Sequence, residues 1–146
     1  MNPADINPHL WAALAATVAA QILKLALVGV TERRFAPERL LETGGMPSSH
    51  SAAVSALAIS VGLGEGWAST MFAVSAVLAA IVMYDATGIR RAAGMQAQMI
   101  NDLVSELSHL FDDGFRPQSL QTLLGHTYPQ VLVGSILGVI TAFVLQ

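Results

Sequence analysis

The chain has 146 residues, of which 53% are hydrophobic and 12% are charged, and it contains no cysteine. Soluble domains carry roughly 25% charged residues, so this composition argues against a soluble monomer. The formal net charge is −3 and Lys24 is the single lysine, which leaves no basic stripe for a nucleic-acid backbone. The absence of cysteine excludes disulfides, thiolate zinc sites and a cysteine nucleophile. The remaining class is a small polytopic membrane protein, with one integral membrane domain over residues 1–146.

Four apolar segments are nearly free of charge and are predicted to be membrane-spanning helices: His9–Val30, Ser51–Gly64, Ala68–Tyr84 and Val131–Leu145. A spanning helix needs about 20 apolar residues. The first segment has that length, whereas the other three reach it only with flanking residues. Short apolar helices are also typical of a soluble core, but so small a chain has too little polar sequence to cover four of them. A glycine turn, Gly64-Glu65-Gly66, joins the second and third segments into a helical hairpin.

The region from Met95 to Phe111 has apolar residues at helical spacing among polar ones, which predicts an amphipathic helix. Because this helix is acidic rather than basic, binding to anionic lipid is not expected. We expect it to cap the cytoplasmic side of the bundle or to pack against a partner chain. The predicted fold is therefore all-α, a polytopic membrane helical bundle with four transmembrane segments and one amphipathic cytoplasmic helix.

The arginines predict how the chain lies in the membrane. They occur only in the two long loops, after the first segment and between the third and fourth: Arg33, Arg34, Arg39, Arg90, Arg91 and Arg116. Basic loops stay on the cytoplasmic side. We therefore expect the cytoplasmic (inner) membrane, with both long loops in the cytoplasm and both termini outside.

Polar residues in membrane segments indicate function by default. Lys24 shares one helix face with Thr17 and Gln21, which predicts that it faces the bundle. The alternative is a lysine that snorkels to the interface.

The stretch from Thr43 to Ala52 is the most informative in the chain. Two glycines precede Pro47, Ser48, Ser49 and His50 at the predicted start of a helix. Backbone N–H groups, hydroxyls and the positive end of the helix dipole meet there, which is typical of a phosphate site. His50 is placed to exchange a proton with a bound group. The alternative is an ordinary capped helix with an interfacial histidine.

Further polar residues fall at predicted cytoplasmic helix ends. Asp85 precedes Arg90 and Arg91, which are either topology signals or a bidentate phosphate clamp, and His126 precedes the fourth segment. With His50 and Lys24, these residues outline a phosphoryl-transfer site. Since no carboxylate cluster with metal-ligand spacing accompanies them, we expect neither a metal nor another cofactor.

At these residues the chain resembles the phosphatidic acid phosphatase type 2 superfamily, which includes the vanadium-dependent haloperoxidases, and especially its small, divergent bacterial and plastid branch. The superfamily's Pro-Ser-Gly-His motif reads Pro47-Ser48-Ser49-His50. Its Ser-Arg, five residues, His, three residues, Asp motif falls on Ser119, Leu120, His126 and Gln130. Its Lys, six residues, Arg-Pro motif begins at Lys24, with Thr31 at the arginine position.

The resemblance implies roles for the matching residues. His126 is the nucleophile that forms a phosphohistidine, His50 is the general acid, and Ser48 and Ser49 hold phosphate oxygens. Two positions depart from the pattern, since Leu120 replaces an arginine and Gln130 an aspartate. Arg90 or Arg91 can replace the lost clamp and Asp85 the lost anion; a glutamine accepts a hydrogen bond from imidazole but does not stabilise imidazolium by charge.

The sequence thus predicts a metal-independent lipid phosphate phosphatase that faces the cytoplasm and hydrolyses a phosphomonoester of the phosphatidylglycerophosphate or phosphatidic acid type. The alternative is a non-catalytic membrane protein that binds phosphorylated lipid head groups or scaffolds a partner. A carrier that uses Lys24 and Asp85 ranks last, because no inverted repeat is present. The small residues Gly134, Ser135 and Gly138 suggest a close-packing face for a homodimer.

Overall fold

A computed structural model describes residues 7–32, 45–107, 118–122 and 125–146, which contain five α-helices and no strand. The helices are α1 (Pro8–Glu32), α2 (Ser49–Glu65), α3 (Thr70–Thr87), α4 (Ile89–Glu106) and α5 (Tyr128–Leu145). The four apolar segments predicted from the sequence lie in helices, apart from Ala68 and Ser69, which precede α3, and the amphipathic segment is helical from Met95 to Glu106. The predicted helix from Met95 to Phe111 is wrong at its start, because α4 already begins at Ile89, directly after Gly88. Its predicted end lies outside the described residues.

The helices begin where polar side chains can bind the free backbone N–H groups of a first turn. The Asn7 side chain accepts hydrogen bonds from the backbone of His9 and Leu10 at the start of α1. Ser48 caps α2 and Ser69 caps α3. Short polar side chains therefore set the ends of helices whose interiors are apolar.

Helix α2 is the centre of the bundle and packs against α1, α3 and α5. Its buried residues are small, mostly alanine and serine. The fully buried cluster joins alanines of three helices: Ala16, Ala20, Ala52, Ala56 and Ala142. Small side chains let helix backbones approach closely, which is how helices pack where apolar burial gives no advantage over lipid.

Helix α5 approaches α2 through two glycines. A Cβ atom on Gly134 would lie 2.3 Å from the Ser48 carbonyl oxygen, and one on Gly138 would lie 2.2 Å from that of Ala52. Both glycines are buried inside the protomer. The expectation that this pair forms a dimer face is therefore wrong, because its close packing is used within the chain. The homodimer itself stays a prediction.

The outer surfaces of α1, α3 and α5 are apolar. Large exposed side chains include Val18 and Ile22 of α1, Val77 and Ile81 of α3, and Ile136 of α5. So extensive an apolar surface is typical of contact with lipid rather than water. Three stretches of the described residues are long and apolar enough to cross a membrane: Pro8–Thr31, Thr70–Glu106 and Tyr128–Leu145. The chain is thus an all-helical membrane protein. A fourth span through the 17-residue α2 stays a prediction.

Candidate active site

A cavity of about 170 Å³ lies where α2 begins, α3 ends and α4 begins, beside the loop that precedes α5. Its described lining residues are His50, Ile81, Val82, Asp85, Ala86, Arg90 and His126. Four of the sequence-predicted site residues therefore meet in one place, although they come from three separate parts of the chain. The other three lining residues are apolar and lie in the last turns of α3.

Backbone contacts fix His126 in this cavity. Its N–H donates to the Ala86 carbonyl oxygen at 2.9 Å. The preceding Gly125 has a φ of +86°, and a Cβ atom there would lie 2.5 Å from the backbone nitrogen of Arg91. Only glycine accepts both this conformation and this proximity. Gly125 therefore brings the loop against the first turn of α4 and places His126 beside Arg90.

The His126 ring is oriented by Gln130. The Nδ1 atom lies 3.3 Å from the Gln130 Oε1 atom. The same oxygen accepts a hydrogen bond of 3.0 Å from the Thr127 backbone, which fixes the amide at the start of α5. The Gln130 carbonyl oxygen in turn accepts from the Ser48 N–H at 3.1 Å. Gln130 therefore links both histidine-bearing segments, because its side chain contacts the imidazole of His126 and its carbonyl oxygen binds Ser48.

The surroundings of His126 favour its neutral form. Burial lowers the pKa of His126 below its ordinary value of 6.5, and electrostatic repulsion by His50 and Lys24 lowers it further. Gln130 and the backbone of Gly45 act in the opposite direction but are outweighed. A neutral imidazole at neutral pH has a free electron pair, as a nucleophile requires.

Asp85 forms an ion pair with Arg90, in which Nε donates to Oδ2 at 2.7 Å. Residue types alone do not decide whether Asp85 pairs with one of the arginines or with Lys24, and the structure pairs it with Arg90. Because the Arg90 side chain is about half exposed, the pair contributes little to stability. The ion pair instead positions Arg90, because it holds the guanidinium group at the cavity.

Lys24 is only 5% exposed. Its side chain therefore lies inside the bundle and does not snorkel to the interface. A Cβ atom on Gly45, which has a φ of +95°, would lie 2.8 Å from the Lys24 Cε atom. Gly45 therefore leaves room for the lysine stem. Lys24 does not belong to the described cavity lining, but it is close enough for its charge to affect the pKa of His126.

The two serines of the Pro-Ser-Ser-His stretch differ in environment. Ser48 is fully buried, and its hydroxyl oxygen accepts from the Ser51 backbone at 3.3 Å and from the Ser51 hydroxyl at 2.9 Å. Ser48 is thus the cap of α2. Ser49 is the first residue of that helix and is half-buried. Neither serine belongs to the described cavity lining, and neither does the exposed Arg91.

Sequence reasoning missed the role of Asn101. Its side-chain amide donates to the Leu120 carbonyl oxygen and accepts from the Leu120 N–H, both at 2.9 Å. Asn101 therefore binds the segment around Leu120 to α4. Leu120 occupies the arginine position of the superfamily's motif. The only signal in the sequence was an asparagine among the apolar residues of an amphipathic helix. Arg33, Arg34, Arg39 and Arg116 lie outside the described residues.

Comparisons with known proteins agree with the motifs. The family model described as "Divergent PAP2 family" matches residues 6–141. The chain is 40% identical over 148 residues to the uncharacterized membrane protein YuiD of Bacillus subtilis (strain 168), across 95% of this chain and 94% of that protein. No solved structure matches the chain. The chain therefore belongs to the divergent PAP2 family.

Proposed function

We propose that the protein is a membrane-embedded lipid phosphate phosphatase, which hydrolyses a phosphomonoester without a metal through a phosphohistidine. The observation that supports this most strongly is that His50 and His126 line one cavity with the Asp85–Arg90 ion pair. Two histidines beside a guanidinium group provide a nucleophile, an acid and a site for phosphate charge.

The reaction has two steps. His126 attacks the phosphorus atom, so that a P–N bond forms while the P–O bond to the lipid breaks, and the leaving oxygen takes a proton from His50. Water then attacks the phosphohistidine, His50 accepts the water proton, and the P–N bond breaks to release inorganic phosphate. Since Nδ1 of His126 faces Gln130, we assign the attack to Nε2.

The charges needed for phosphate binding lie around the cavity. Asp85 engages Nε of Arg90, which leaves the terminal nitrogens of that guanidinium group for bidentate contact with phosphate oxygens. We propose Lys24, Arg91, Ser48 and Ser49 as further phosphate ligands. Asp85 keeps Arg90 in place and stabilises positive charge on the histidines.

The apolar wall of the cavity favours a lipid substrate. Ile81 lines the cavity and is also 60% exposed on the lipid-facing side of α3. A phosphate group in the cavity therefore has an apolar surface beside it for an acyl chain. Together with the arginine-rich loops, which indicate a site on the cytoplasmic side of the inner membrane, this favours lipids of the phosphatidylglycerophosphate or phosphatidic acid type.

Phosphate release tests the proposal. Purified protein in metal-free detergent buffer is assayed with a panel of lipid phosphates, with and without vanadate. We expect vanadate-sensitive release by the wild type and a loss of at least about 100-fold in the His126→Ala and His50→Ala variants, because each removes a group that acts in the transition state. The matched control is His9→Gln, which changes a histidine that contacts Ser60 instead of the cavity.

A second function is favoured by the neutral amide at Gln130 and the aliphatic Leu120. A member of this family that has neither the aspartate nor the arginine of the superfamily's motif is a candidate for a non-catalytic protein. Such a protein would bind phosphorylated head groups without hydrolysing them. Folded wild-type protein that binds lipid phosphate but releases none would support this alternative and contradict the phosphatase.

A further inference from the structure

Helix α4 has two different faces. Gly94 and Ala97 are buried against the rest of the protein, and Asn101 on the same side bonds to the backbone of Leu120. The large apolar side chains of α4 are exposed: Ile89, Met95, Met99, Ile100, Leu103 and Leu107. Contacts on one side thus fix the rotation of α4 about its axis, and its apolar face points away from the protein.

This apolar face continues the lipid-facing surface of α3. Only Gly88 separates the two helices, and helical hydrogen bonds of 2.9 Å run through the joint, from Gly88 N–H to Tyr84 and from Ala92 N–H to Gly88. Tyr84 near the end of α3 and Ile89 at the start of α4 are both exposed, so large apolar side chains continue on the surface from one helix to the next. Since the exposed apolar surface of α3 is typical of contact with lipid, this continuity favours lipid as the surface that α4 meets.

The charges of α4 indicate which kind of lipid contact is involved. The exposed flank beside the apolar face contains Gln98 and Asp102. The arginines of the helix, Arg90 and Arg91, lie in its first turn, and the exposed Glu106 is its last residue. A helix bound to anionic head groups has a basic flank, which α4 does not have along its length. The attraction must therefore come from the burial of apolar surface.

We propose that α4 lies in the membrane interface, with its apolar face at the boundary between head groups and acyl chains, and that its partner is the lipid surface itself. This position keeps the first turn of α4, with Arg90 at the cavity, at the depth of the lipid phosphates. The inference does not depend on catalysis, since it concerns a surface outside the cavity.

The absence of cysteine allows a direct test with single cysteines that react with a nitroxide label. Met99→Cys and Leu103→Cys report on the apolar face, and Gln98→Cys and Asp102→Cys are the matched controls on the exposed polar flank. The labelled proteins are placed in phosphatidylcholine vesicles, and collisions with oxygen, which concentrates in lipid, and with a water-soluble nickel chelate are measured. Val77→Cys on α3 gives the reference for full lipid exposure.

We expect oxygen collisions to exceed nickel collisions several-fold at residues 99 and 103, and the reverse at residues 98 and 102. Addition of anionic phosphatidylglycerol should leave this pattern unchanged. Nickel accessibility at residue 99 equal to that at residue 98 would show that the face meets water and would overturn the proposal. Exclusion of both reagents together with dipolar broadening would show that a second copy covers the face and would also overturn the proposal. A pattern that appears only in anionic vesicles would contradict the statement that apolar burial holds α4 at the membrane.

Discussion

The chemistry proposed for the cavity depends on one neutral hydrogen-bond acceptor. Gln130 lies where the resemblance has an aspartate, and its Oε1 atom is 3.3 Å from the Nδ1 atom of His126. An amide orients the ring as a carboxylate would but leaves out the charge that favours imidazolium. The pKa of His126 lies below 6.5, because the effect of burial outweighs that of the hydrogen bond with Gln130.

The Gln130→Glu variant restores that charge. A carboxylate beside an imidazole favours its protonated form by about 1–3 pKa units, so we expect the pKa of His126 to rise. Since the attacking imidazole must be neutral, the acid limb of phosphate release should then move to higher pH, with activity lost below the new pKa. The measurement is the pH profile of release together with an NMR titration of the histidine ring signals.

The control for this charge is Gln98→Glu, which adds the same carboxylate on the exposed flank of α4. It should leave the titration midpoint of His126 unchanged. If the titration midpoint of His126 is the same in Gln130→Glu as in the wild type, the side chain at position 130 does not set the pKa of this histidine.

At the scale of the helices, the cavity depends on how closely α5 approaches α2. Gly134 lies against the backbone of Ser48, the residue that caps α2 two positions before His50. Backbone atoms cannot rotate away as a flexible side chain can, so the fit leaves no space for a methyl group. The distance between the histidine-bearing segments is therefore coupled to a helix contact.

The Gly134→Ala variant should separate these helices. Its Cβ atom would lie 2.3 Å from the Ser48 carbonyl oxygen, and overpacking of this kind costs about 1–3 kcal/mol of the free energy of unfolding. We expect a lower thermal unfolding midpoint in detergent and reduced phosphate release. The matched control is Gly29→Ala in α1, where no described atom beyond the neighbouring backbone of the helix lies within 4 Å of the new methyl group.

In that control the gain in helix propensity of up to about 1 kcal/mol should leave the protein equally or more stable. Equal unfolding midpoints for the two alanine variants would contradict the packing argument.

For the whole molecule, the sequence predicted the helices better than the way they meet. Apolar runs located α1, α2, α3 and α5, because hydrophobic periodicity is a local signal, whereas the start of α4 was predicted at Met95 instead of Ile89. The central place of α2 was not predicted, since alanine and serine all round a helix do not reveal which neighbour each side contacts. Gly125 against α4 and Gln130 against Ser48 are contacts between distant parts of the chain, so their effect on the cavity became visible only in three dimensions.

The site residues also divide into those that local motifs predict and those whose contacts depend on the three-dimensional structure. The Pro-Ser-Ser-His stretch and His126 were identified from motifs, and the structure brings both histidines to one cavity. The pairing of Asp85 with Arg90 depends on α4 starting at Ile89, which puts Arg90 in a first helical turn near the end of α3. Residue types alone could not choose between Arg90, Arg91 and Lys24 as the partner.

The orientation of the whole molecule decides which lipids can reach the cavity, and it can be measured with the same cysteine-free chain. We expect Ala68→Cys, in the turn between α2 and α3, to react with a membrane-impermeant maleimide in intact cells. Gln98→Cys, beyond α3 on α4, should react only after the membrane is permeabilised. The physical reason is the arginine content of the two loops that we place in the cytoplasm. The reverse pattern would put the cavity on the outer face, where lipid phosphates made on the inner leaflet arrive only after translocation, and would therefore contradict the proposed substrate class while leaving the histidine chemistry intact.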